Sequence, residues 1–242
     1  MLSIIVPVYN EEDTISEVVS RLCNVPIEGK EIIVVNDGST DKTLNRLERI
    51  ARISEDLKVV NLPKNKGKGF AVRKGVEAAS KEYIVFQDAD MEYPPSNIVK
   101  MFQLIERDSS LDMVVGVRSL SWDLVTSISF GSFFANKVIS KLVDCPDTFS
   151  GHRIVKRDVY NWLNLKSDGF EVETELTLKL IKNGFNVGFV PIKYIPRSRK
   201  EGKKIGFIDF VKIMNMYFYV SVLDKKYRKE KFVALSLSEE SS

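Results

Sequence analysis

The sequence is poor in histidine and cysteine. Its 242 residues contain one histidine, His152, and two cysteines, Cys23 and Cys145, which lie far apart and lack the spacing of metal ligands. A zinc site of the His/Cys type needs more such ligands, and a Ser-His-Asp triad would depend on the single histidine, so neither is expected. Two unpaired thiols fit a reducing compartment. We therefore expect oxygen ligands for any metal that this protein holds.

Long apolar runs are also missing. Met1 is followed directly by a short β-prone run, without the basic segment and apolar stretch of a signal peptide. An uninterrupted run of about eighteen apolar residues, which a transmembrane helix needs, is not found. The net charge of +3 is close to balance, so the composition does not indicate a nucleic-acid-binding protein. We expect a protein that is kept in the cytosol.

The first half of the chain alternates short β-prone runs with helical patterns. Strands are predicted at 2–8, 31–35, 57–62 and 83–86. Helices are predicted from the spacing of apolar residues after Ile15 and Leu44 and from the small-residue face of 68–80. This succession predicts an α/β fold, in which helices cover both faces of a mostly parallel central sheet. The carboxyl ends of the strands then share one edge, where such folds bind ligands.

The second half is less regular. Further strands are predicted at 113–117 and 187–190, further helices at 126–143 and 175–181, and a polar turn at 144–151. The predicted organisation is one main domain at 1–204, an amphipathic helix at 205–235 and a disordered tail at 236–242.

Asn36-Asp37-Gly38-Ser39-Thr40-Asp41 directly follows the second predicted strand. Gly38 allows a tight turn, and Ser39 or Thr40 can cap the next helix. The Asp37 carboxylate can hydrogen-bond a ribose or a base edge. A capped turn between strand and helix explains the same residues, so both interpretations stay open.

Asp88 and Asp90 follow the fourth predicted strand, in the sequence Gln87-Asp88-Ala89-Asp90. Residues two apart on an extended segment point to the same side, so the two carboxylates can converge on one hard cation. Diphosphate oxygens and water would complete the coordination shell. An Asp-x-Asp sequence is frequent by chance, but its place at a strand end favours a metal site here.

Asn65-Lys66-Gly67-Lys68-Gly69 opens the third predicted helix. The glycines allow close approach of another group, and the lysines together with the helix N-terminus favour an anion. The spacing is not that of a Walker A loop. A substrate contact and a structural helix start with solvated lysines are both compatible with this segment.

The order and spacing of these motifs resemble those of the family 2 glycosyltransferases, which have the GT-A fold, a Rossmann-like α/β fold. The resemblance is carried by Pro7-Val8-Tyr9-Asn10-Glu11-Glu12 and by the segments 36–41, 65–69 and 88–90. The later segments 147–153, 169–176 and 199–204 are similar to the polyprenyl-phosphate branch, which includes dolichyl-phosphate mannose and glucose synthases. The likeness covers residues 2–204.

The resemblance implies a role for each matching residue of the donor site. The nucleoside pocket would be lined by Pro7, Tyr9, Glu11, Val35 and Asp37. Mg²⁺ or Mn²⁺ and the diphosphate would be held by Asp88, Ala89, Asp90 and Glu92, the last at a position where family members often have Gln. Basic side chains that would approach phosphates are Arg118, Arg199 and Lys204, the match of Lys204 being looser.

On the acceptor side, the resemblance points to the acidic pair Glu173 and Glu175, for which a solvated helix start is the structural interpretation. The mannose synthases of this group usually carry a basic residue shortly after the position of Arg118. Residues 122–130 contain none, so an identical clamp on the acceptor phosphate is not expected, and Lys137 or Arg153 are the candidates to replace it.

The resemblance implies an inverting transfer of a hexose from GDP-mannose or UDP-glucose to polyprenyl (dolichyl) phosphate. A cation held by Asp88 and Asp90 would stabilise the leaving diphosphate. An acceptor phosphate is ionised at neutral pH and needs no strong general base, whereas a saccharide hydroxyl needs one, for which Glu173 is the candidate. The alternatives are a saccharide-specific transferase and a catalytically silent nucleotide-sugar-binding module. A nucleotidyltransferase would have a glycine-rich turn in place of residues 9–12.

Residues 205–223 are rich in apolar side chains but include Asp209, Lys212 and Asn215, and basic clusters flank them. Such a helix can pack on the catalytic core, or it can lie on an anionic membrane surface near a lipid-borne acceptor. The second interpretation predicts peripheral association with the cytoplasmic face of a membrane.

Overall fold

The computed structural model of the protein describes residues 1–54, 56–118, 145–148, 150–196 and 207–220, with side chains from 211 in the last segment. The strands of the described part are β1 Leu2–Val8, β2 Glu31–Asn36, β3 Leu57–Asn61, β4 Tyr83–Phe86, β5 Met113–Arg118, β6 Arg153–Lys156 and β7 Val187–Ile192. Its helices are α1 Ile15–Cys23, α2 Thr43–Ala51, α3 Lys68–Glu77, α4 Ser96–Arg107, α5 Arg157–Leu163, α6 Val172–Lys182 and α7 Phe207–Phe218.

The strands form one seven-stranded sheet in the order β3-β2-β1-β4-β6-β5-β7. Only β6 among the described strands runs against its neighbours, pairing antiparallel with both β4 and β5. Because β1, β2 and β4 are parallel, their carboxyl ends meet at one edge of the sheet. The predicted mostly parallel α/β sheet is confirmed.

Hydrophobic cores lie on both faces of this sheet. Successive side chains of a strand point to opposite faces, and in β1 Ile4 joins the core under α1 and α4 whereas Ile5 joins the core under α3. The predicted small-residue face of α3 is confirmed, since a Cβ on Gly75 would lie 2.4 Å from Cγ2 of Ile5. Glycine at this position lets α3 approach the sheet closely.

Three described elements were not predicted from the sequence. They are α4, β6 and α5. The apolar residues of α4 do recur at helical spacing, as in Ile98, Met101 and Ile105, so its signal was present. Strand β6 is only four residues long and pairs with distant strands, which leaves little local pattern. The predicted helix at 126–143 and the tail at 236–242 lie outside the described residues.

Helix α7 packs against α6. Ile213 and Val220 are buried, whereas Val211, Phe218 and Tyr219 are exposed. Residues 207–220 therefore pack on α6, as one of the two sequence interpretations expected, and also carry exposed apolar side chains. The membrane-surface interpretation stays a prediction. Within the described ranges, no helix has both the length and the hydropathy to cross a bilayer.

Candidate active site

Asp88 lies two residues beyond the carboxyl end of β4 and is bridged to Glu173 by a lysine. The ammonium of Lys68 lies 2.6 Å from Oδ1 of Asp88 and 2.5 Å from Oε1 of Glu173. Burial of Lys68 lowers its pKa, but the two carboxylates outweigh burial and hold the pKa above its usual range. Lys68 is therefore a largely buried cation, so the expectation of solvated lysines at this helix start is wrong for Lys68, whereas Lys66 is exposed.

The glycine-rich start of α3 is fixed against the segment that precedes α6. Gly67 has a φ of +98°, and a Cβ there would lie 2.4 Å from the carbonyl oxygen of Asp168. The N–H groups of Gly69 and Phe70 donate to that carbonyl at 2.8 and 3.2 Å, and Arg73 bonds the Ser167 carbonyl. These donors serve the fold, so the anion site expected from the helix N-terminus is not supported by the geometry.

Asp37, at the end of β2, binds the loop that leads into α3. Its two carboxylate oxygens accept the backbone N–H groups of Lys66 and Gly67, each at 2.8 Å. Burial raises the pKa of Asp37 above its usual value, with these hydrogen bonds opposing the shift. Asp37 therefore has a structural contact that the sequence did not predict, and it lies at the edge of the sheet where a nucleoside was expected.

The turn after Asp37 differs from the expected cap. Ser39 Oγ accepts the N–H of Asn10, and the N–H of Thr40 donates to Oδ1 of Asn10, so both residues join the loop after β1. The N–H of Thr43 at the start of α2 instead donates to Oδ1 of Asp41, at 2.9 Å. Capping by Ser39 or Thr40 was therefore a wrong prediction.

The residues predicted to line the nucleoside pocket divide into two groups according to their burial. Pro7, Tyr9 and Glu11 are half-buried at the end of β1 and in the loop that follows, where they can meet a ligand. Val35 is fully buried in the core and contacts α3 near Gly75. Its side chain cannot line an open pocket, which corrects the prediction for this residue.

The residues predicted to hold the metal differ in their surroundings. Asp90, half-buried two residues after Asp88, accepts the backbone N–H of Glu92 at 3.1 Å, while Ala89 is buried in the core. Oε2 of Glu92 accepts the hydroxyl of Tyr194 at 2.8 Å. In the part of the chain that the structure describes, no three His, Cys, Asp or Glu side chains are arranged to hold a metal. Glu92 is therefore not assembled with the two aspartates as a third ligand.

Asp88 and Asp90 still fit Mg²⁺ or Mn²⁺. Carboxylate oxygens are the donors that these hard cations prefer, and Mg²⁺ usually takes one or two carboxylates together with phosphate oxygens and water. A cation, the Lys68 ammonium, already lies against Asp88 in the structure. The chemistry of Asp88 thus suits a positive charge, and a metal held there would take its remaining ligands from a phosphate and water.

Arg118, at the end of β5, forms a two-point ion pair with Asp147. Nε lies 2.7 Å from Oδ2, and Nη2 lies 2.8 Å from Oδ1. Burial would raise the pKa of Asp147, but Arg118 holds it below its usual value. The guanidinium also lies 5.2 Å from the ring centroid of Tyr194. Two of the three guanidinium nitrogens of Arg118 are therefore engaged within the protein.

Arg153 is fully buried and supports a loop. Its nitrogens donate to Oγ1 of Thr177 at 3.1 Å, to the Thr148 carbonyl at 2.6 Å and to the Ser150 carbonyl. Burial lowers the pKa of Arg153. Because Arg153 has no exposed surface and binds these three partners, it stabilises the loop. The prediction that it contacts an acceptor phosphate is therefore corrected.

The two acidic side chains of the pair on α6, Glu173 and Glu175, bind different groups. Residues two apart on a helix point in nearly opposite directions, so Glu173 reaches Lys68 while Glu175 turns away. Glu175 accepts the N–H groups of Lys166 and Ser167 and pairs with Lys179 at 2.7 Å. Burial would raise the pKa of Glu175, but these partners hold it below its usual value. Both glutamates are buried, so neither the solvated helix start nor an acceptor role for Glu175 is supported.

Three further side chains of the site carried no assigned role in the sequence. They are Tyr93, Asp147 and His152. The hydroxyl of Tyr93 accepts the N–H of Gly151 at 3.2 Å, and its ring lies 5.2 Å from that of His152. Burial lowers the pKa of His152 to about 4, so the imidazole is neutral at pH 7. Arg199, Lys204 and Lys137 lie outside the described residues.

Comparison with known proteins gives concordant matches. The family model described as glycosyl transferase family 2 matches residues 3–162. A dolichol-phosphate mannosyltransferase of Pyrococcus furiosus is 30% identical over 227 residues, covering 89% of this chain and 62% of that protein. A poly-beta-1,6-N-acetyl-D-glucosamine synthase of Staphylococcus aureus is 29% identical, covering 76% and 46%. The chain thus spans 46% to 62% of the length of these relatives.

The fold also matches solved structures. Glucosyl-3-phosphoglycerate synthase from Mycobacterium tuberculosis, crystallised with Mn²⁺, UDP-glucose and phosphoglyceric acid, superposes with a TM-score of 0.70. The match covers 93% of this chain and 81% of that chain at 19% identity, which supports the fold alone. The predicted GT-A fold is confirmed, and the family model covers most of the chain. The chain belongs to glycosyl transferase family 2.

Proposed function

We propose that this glycosyltransferase moves a hexose from a nucleotide sugar to a polyprenyl phosphate, with inversion at the anomeric carbon. The observation that carries the proposal is the position of Asp88 and Asp90 just beyond the carboxyl end of β4. Tyr9 after β1 and Asp37 after β2 lie at the same edge of the sheet. This is the edge where open α/β sheets bind nucleotides.

Asp88 and Asp90 would hold Mg²⁺ or Mn²⁺ against the diphosphate of the donor. The metal supplies positive charge that stabilises the leaving nucleoside diphosphate. The protein's own contribution is to place these carboxylates just beyond the carboxyl end of β4, with Asp90 oriented by the N–H of Glu92. The half-buried Pro7, Tyr9 and Glu11 would contact the nucleoside, and GDP-mannose and UDP-glucose are the donors to test first.

The acceptor proposal is supported by the state of the nearby acids and bases. Glu173 is ion-paired with Lys68, and His152 is fully buried, so neither is placed to take a proton from a hydroxyl. A phosphate monoester is ionised at neutral pH and attacks without a general base. The name of the Pyrococcus furiosus relative supports the same class of acceptor, a dolichol phosphate.

A saccharide acceptor is the second candidate. It is favoured by the name of the Staphylococcus aureus relative, a poly-N-acetylglucosamine synthase. The two candidates separate when the purified protein, Mn²⁺ and each nucleotide sugar are offered either a polyprenyl phosphate or an oligosaccharide. We expect a lipid-linked hexose whose anomeric configuration by NMR is opposite to that of the donor. A retained configuration would reject inversion, elongation of the oligosaccharide would support the second candidate, and no turnover of any donor would indicate a silent module.

Peripheral attachment to the cytoplasmic face of a membrane is the proposed location. Its support is the exposed apolar set Val211, Phe218 and Tyr219 in the α7 region. Flotation with liposomes that contain anionic lipid tests it, using a variant with serine at these three positions. The matched control is Ile53→Ser, which removes an isoleucine that is 86% exposed elsewhere on the domain. Loss of flotation in the triple variant alone supports the proposal, and equal flotation of all three proteins contradicts it.

A further inference from the structure

We propose that Lys68 is a positioning residue that occupies Asp88 while no donor is bound and thereby makes tight metal binding depend on the nucleoside diphosphate. The inference rests on the proposed function, because it takes Asp88 as a metal ligand. The inference adds that the nucleoside diphosphate must be present for the metal to bind tightly. It also gives Lys68 and Glu173 opposite effects on metal affinity.

The geometry places one cation between two carboxylates from different parts of the fold. Lys68 begins α3, Asp88 follows β4 and Glu173 lies in the first turn of α6. The exposed fractions of these side chains are only 12%, 20% and 9%, respectively. Water therefore screens their charges weakly, and the interactions within the cluster are stronger than on an open surface.

The cluster is packed closely against the backbone of Gly151. A Cβ at Gly151 would lie 2.8 Å from Oδ2 of Asp88 and 3.3 Å from Oε1 of Glu173. Backbone thus closes one side of the cluster, where any side chain would collide with it. The start of α3 that carries Lys68 is likewise docked, with Gly67 and Gly69 against the backbone of Ser167 and Asp168. The exchange of partners that we propose is a movement of side chains.

A divalent cation that approaches Asp88 meets the ammonium 2.6 Å from Oδ1. Lys68 neutralises this carboxylate and repels the incoming cation. In the described part of the chain no three acidic, His or Cys side chains converge to compensate. The protein alone is therefore a weak metal site. The diphosphate of a donor brings additional anionic oxygens, which offset the charge of Lys68 and let the metal bind.

Glu173 supplies the second partner that this exchange needs. A buried ammonium that lost Asp88 and had no other carboxylate would carry a large desolvation cost. Glu173 lies near the N-terminus of α6, where the helix dipole favours its negative charge. It can retain Lys68 while Asp88 binds the metal. Glu173 therefore promotes metal binding, whereas Lys68 opposes it in the absence of nucleotide.

Substitutions separate these two effects. The Lys68→Met/Glu173→Gln variant removes one charge of each sign, so the net charge is unchanged and no glutamate is stranded. It also prevents Glu173 from serving as an extra metal ligand, which the single Lys68→Met change would allow. In the Glu173→Gln variant, Asp88 is the only one of the two carboxylates that remains to pair with Lys68. The control Lys74→Met removes a half-exposed lysine from the same helix, where it pairs with Glu77.

The measurement is Mn²⁺ binding by electron paramagnetic resonance, in the absence and presence of UDP or GDP, with circular dichroism to verify folding. For the wild type and Lys74→Met we expect weak binding of Mn²⁺ alone and a gain with nucleotide of about tenfold or more, within the range of ordinary linkage. The double variant should bind Mn²⁺ alone about tenfold more tightly than the wild type and gain less from nucleotide. Glu173→Gln should bind Mn²⁺ more weakly than the wild type.

The outcomes that overturn the inference are distinct from those that overturn the proposed function. Equal or weaker Mn²⁺ binding by the double variant, with Glu173→Gln unchanged, would show that Lys68 does not compete with the metal. Wild-type protein that binds no Mn²⁺ with either nucleotide would reject both the metal site and the inference. A tight metal site in the wild type without nucleotide would contradict the inference alone.

Discussion

Arg118 and Asp147 form a buried ion pair in which two parallel hydrogen bonds of 2.7 and 2.8 Å join the guanidinium to the carboxylate. The pair ties the end of β5 to the segment before β6. Both side chains are at least nine-tenths buried. Such a pair is costly to break, because the remaining charge keeps its desolvation cost and loses its partner.

Asp147→Asn is expected to destabilise the protein strongly. The change leaves the Arg118 charge buried without its counter-ion, at a cost of about 3 kcal/mol in the free energy of unfolding. Urea unfolding at pH 7 measures it. The control is Glu17→Gln, which breaks the pair between Arg21 and Glu17 at the same 2.7 Å but on an exposed face of α1, and it should cost no more than about 0.5 kcal/mol. Equal costs for the two variants would contradict the buried character of the Arg118 pair.

His152→Phe is expected to make the protein less sensitive to mild acid. Burial lowers the pKa of His152 from 6.5 to about 4 in the folded protein. The unfolded chain binds this proton as the pH falls below about 6.5, whereas the folded protein does not until about 4, so stability is lost over that window. The phenylalanine variant should avoid a loss of about 3 kcal/mol between pH 7.5 and 4.

Urea unfolding of both proteins across that pH range provides the measurement. Phenylalanine keeps an aromatic ring beside Tyr93, so packing differences are small and largely independent of pH. Carboxylates whose pKa the fold lowers, such as Asp147 and Glu175, are present in both proteins. Their contributions to the pH dependence of stability therefore cancel in the comparison. A stability difference that stays constant with pH would mean that His152 titrates normally.

Gly67→Ala is expected to cost more stability than Gly184→Ala. Both glycines have positive φ, +98° and +80°, so alanine carries backbone strain at both positions, of about 1 to 3 kcal/mol. Gly67, with a ψ of 158°, lies in a region that is adopted almost only by glycine. A Cβ at Gly67 also meets the Asp168 carbonyl at 2.4 Å, whereas one at Gly184 meets nothing within 4 Å. The collision should add at least about 1 kcal/mol. Thermal or urea unfolding compares the two, and a similar loss in both would show that α3 is not held against Asp168.

Much of the fold was predictable because local pattern specifies it. The bounds of β1 and β4 agree with the prediction from their continuous apolar runs. The helical spacing of Ile15, Val18 and Leu22 likewise predicted α1. In contrast, the short β6 gave no such signal, since its antiparallel pairing with β4 and β5 depends on residues far along the chain.

The sequence motifs of the site could be predicted, but the contacts that its side chains make within the protein could not. Asp88 and Asp90 were found because a strand end and a spacing of two are local features. The role of Lys68 was missed, because its burial depends on Glu173, more than one hundred residues away. Arg153 and Glu175 were assigned to the acceptor from their chemistry, yet their side chains bond backbone groups of neighbouring loops. Charge alone does not distinguish a ligand from a scaffold.

The most direct test of the account is the metal dependence of donor turnover in Asp88→Asn. This variant keeps the shape of the side chain but removes the charge proposed to hold the metal, and Asp158→Asn, on an exposed surface of α5, is its control. With Mn²⁺ and nucleotide sugar, Asp88→Asn should lose activity by at least about a hundredfold, while Asp158→Asn stays within about twofold of the wild type. An Asp88→Asn protein that turns over donor at the wild-type rate would contradict the account.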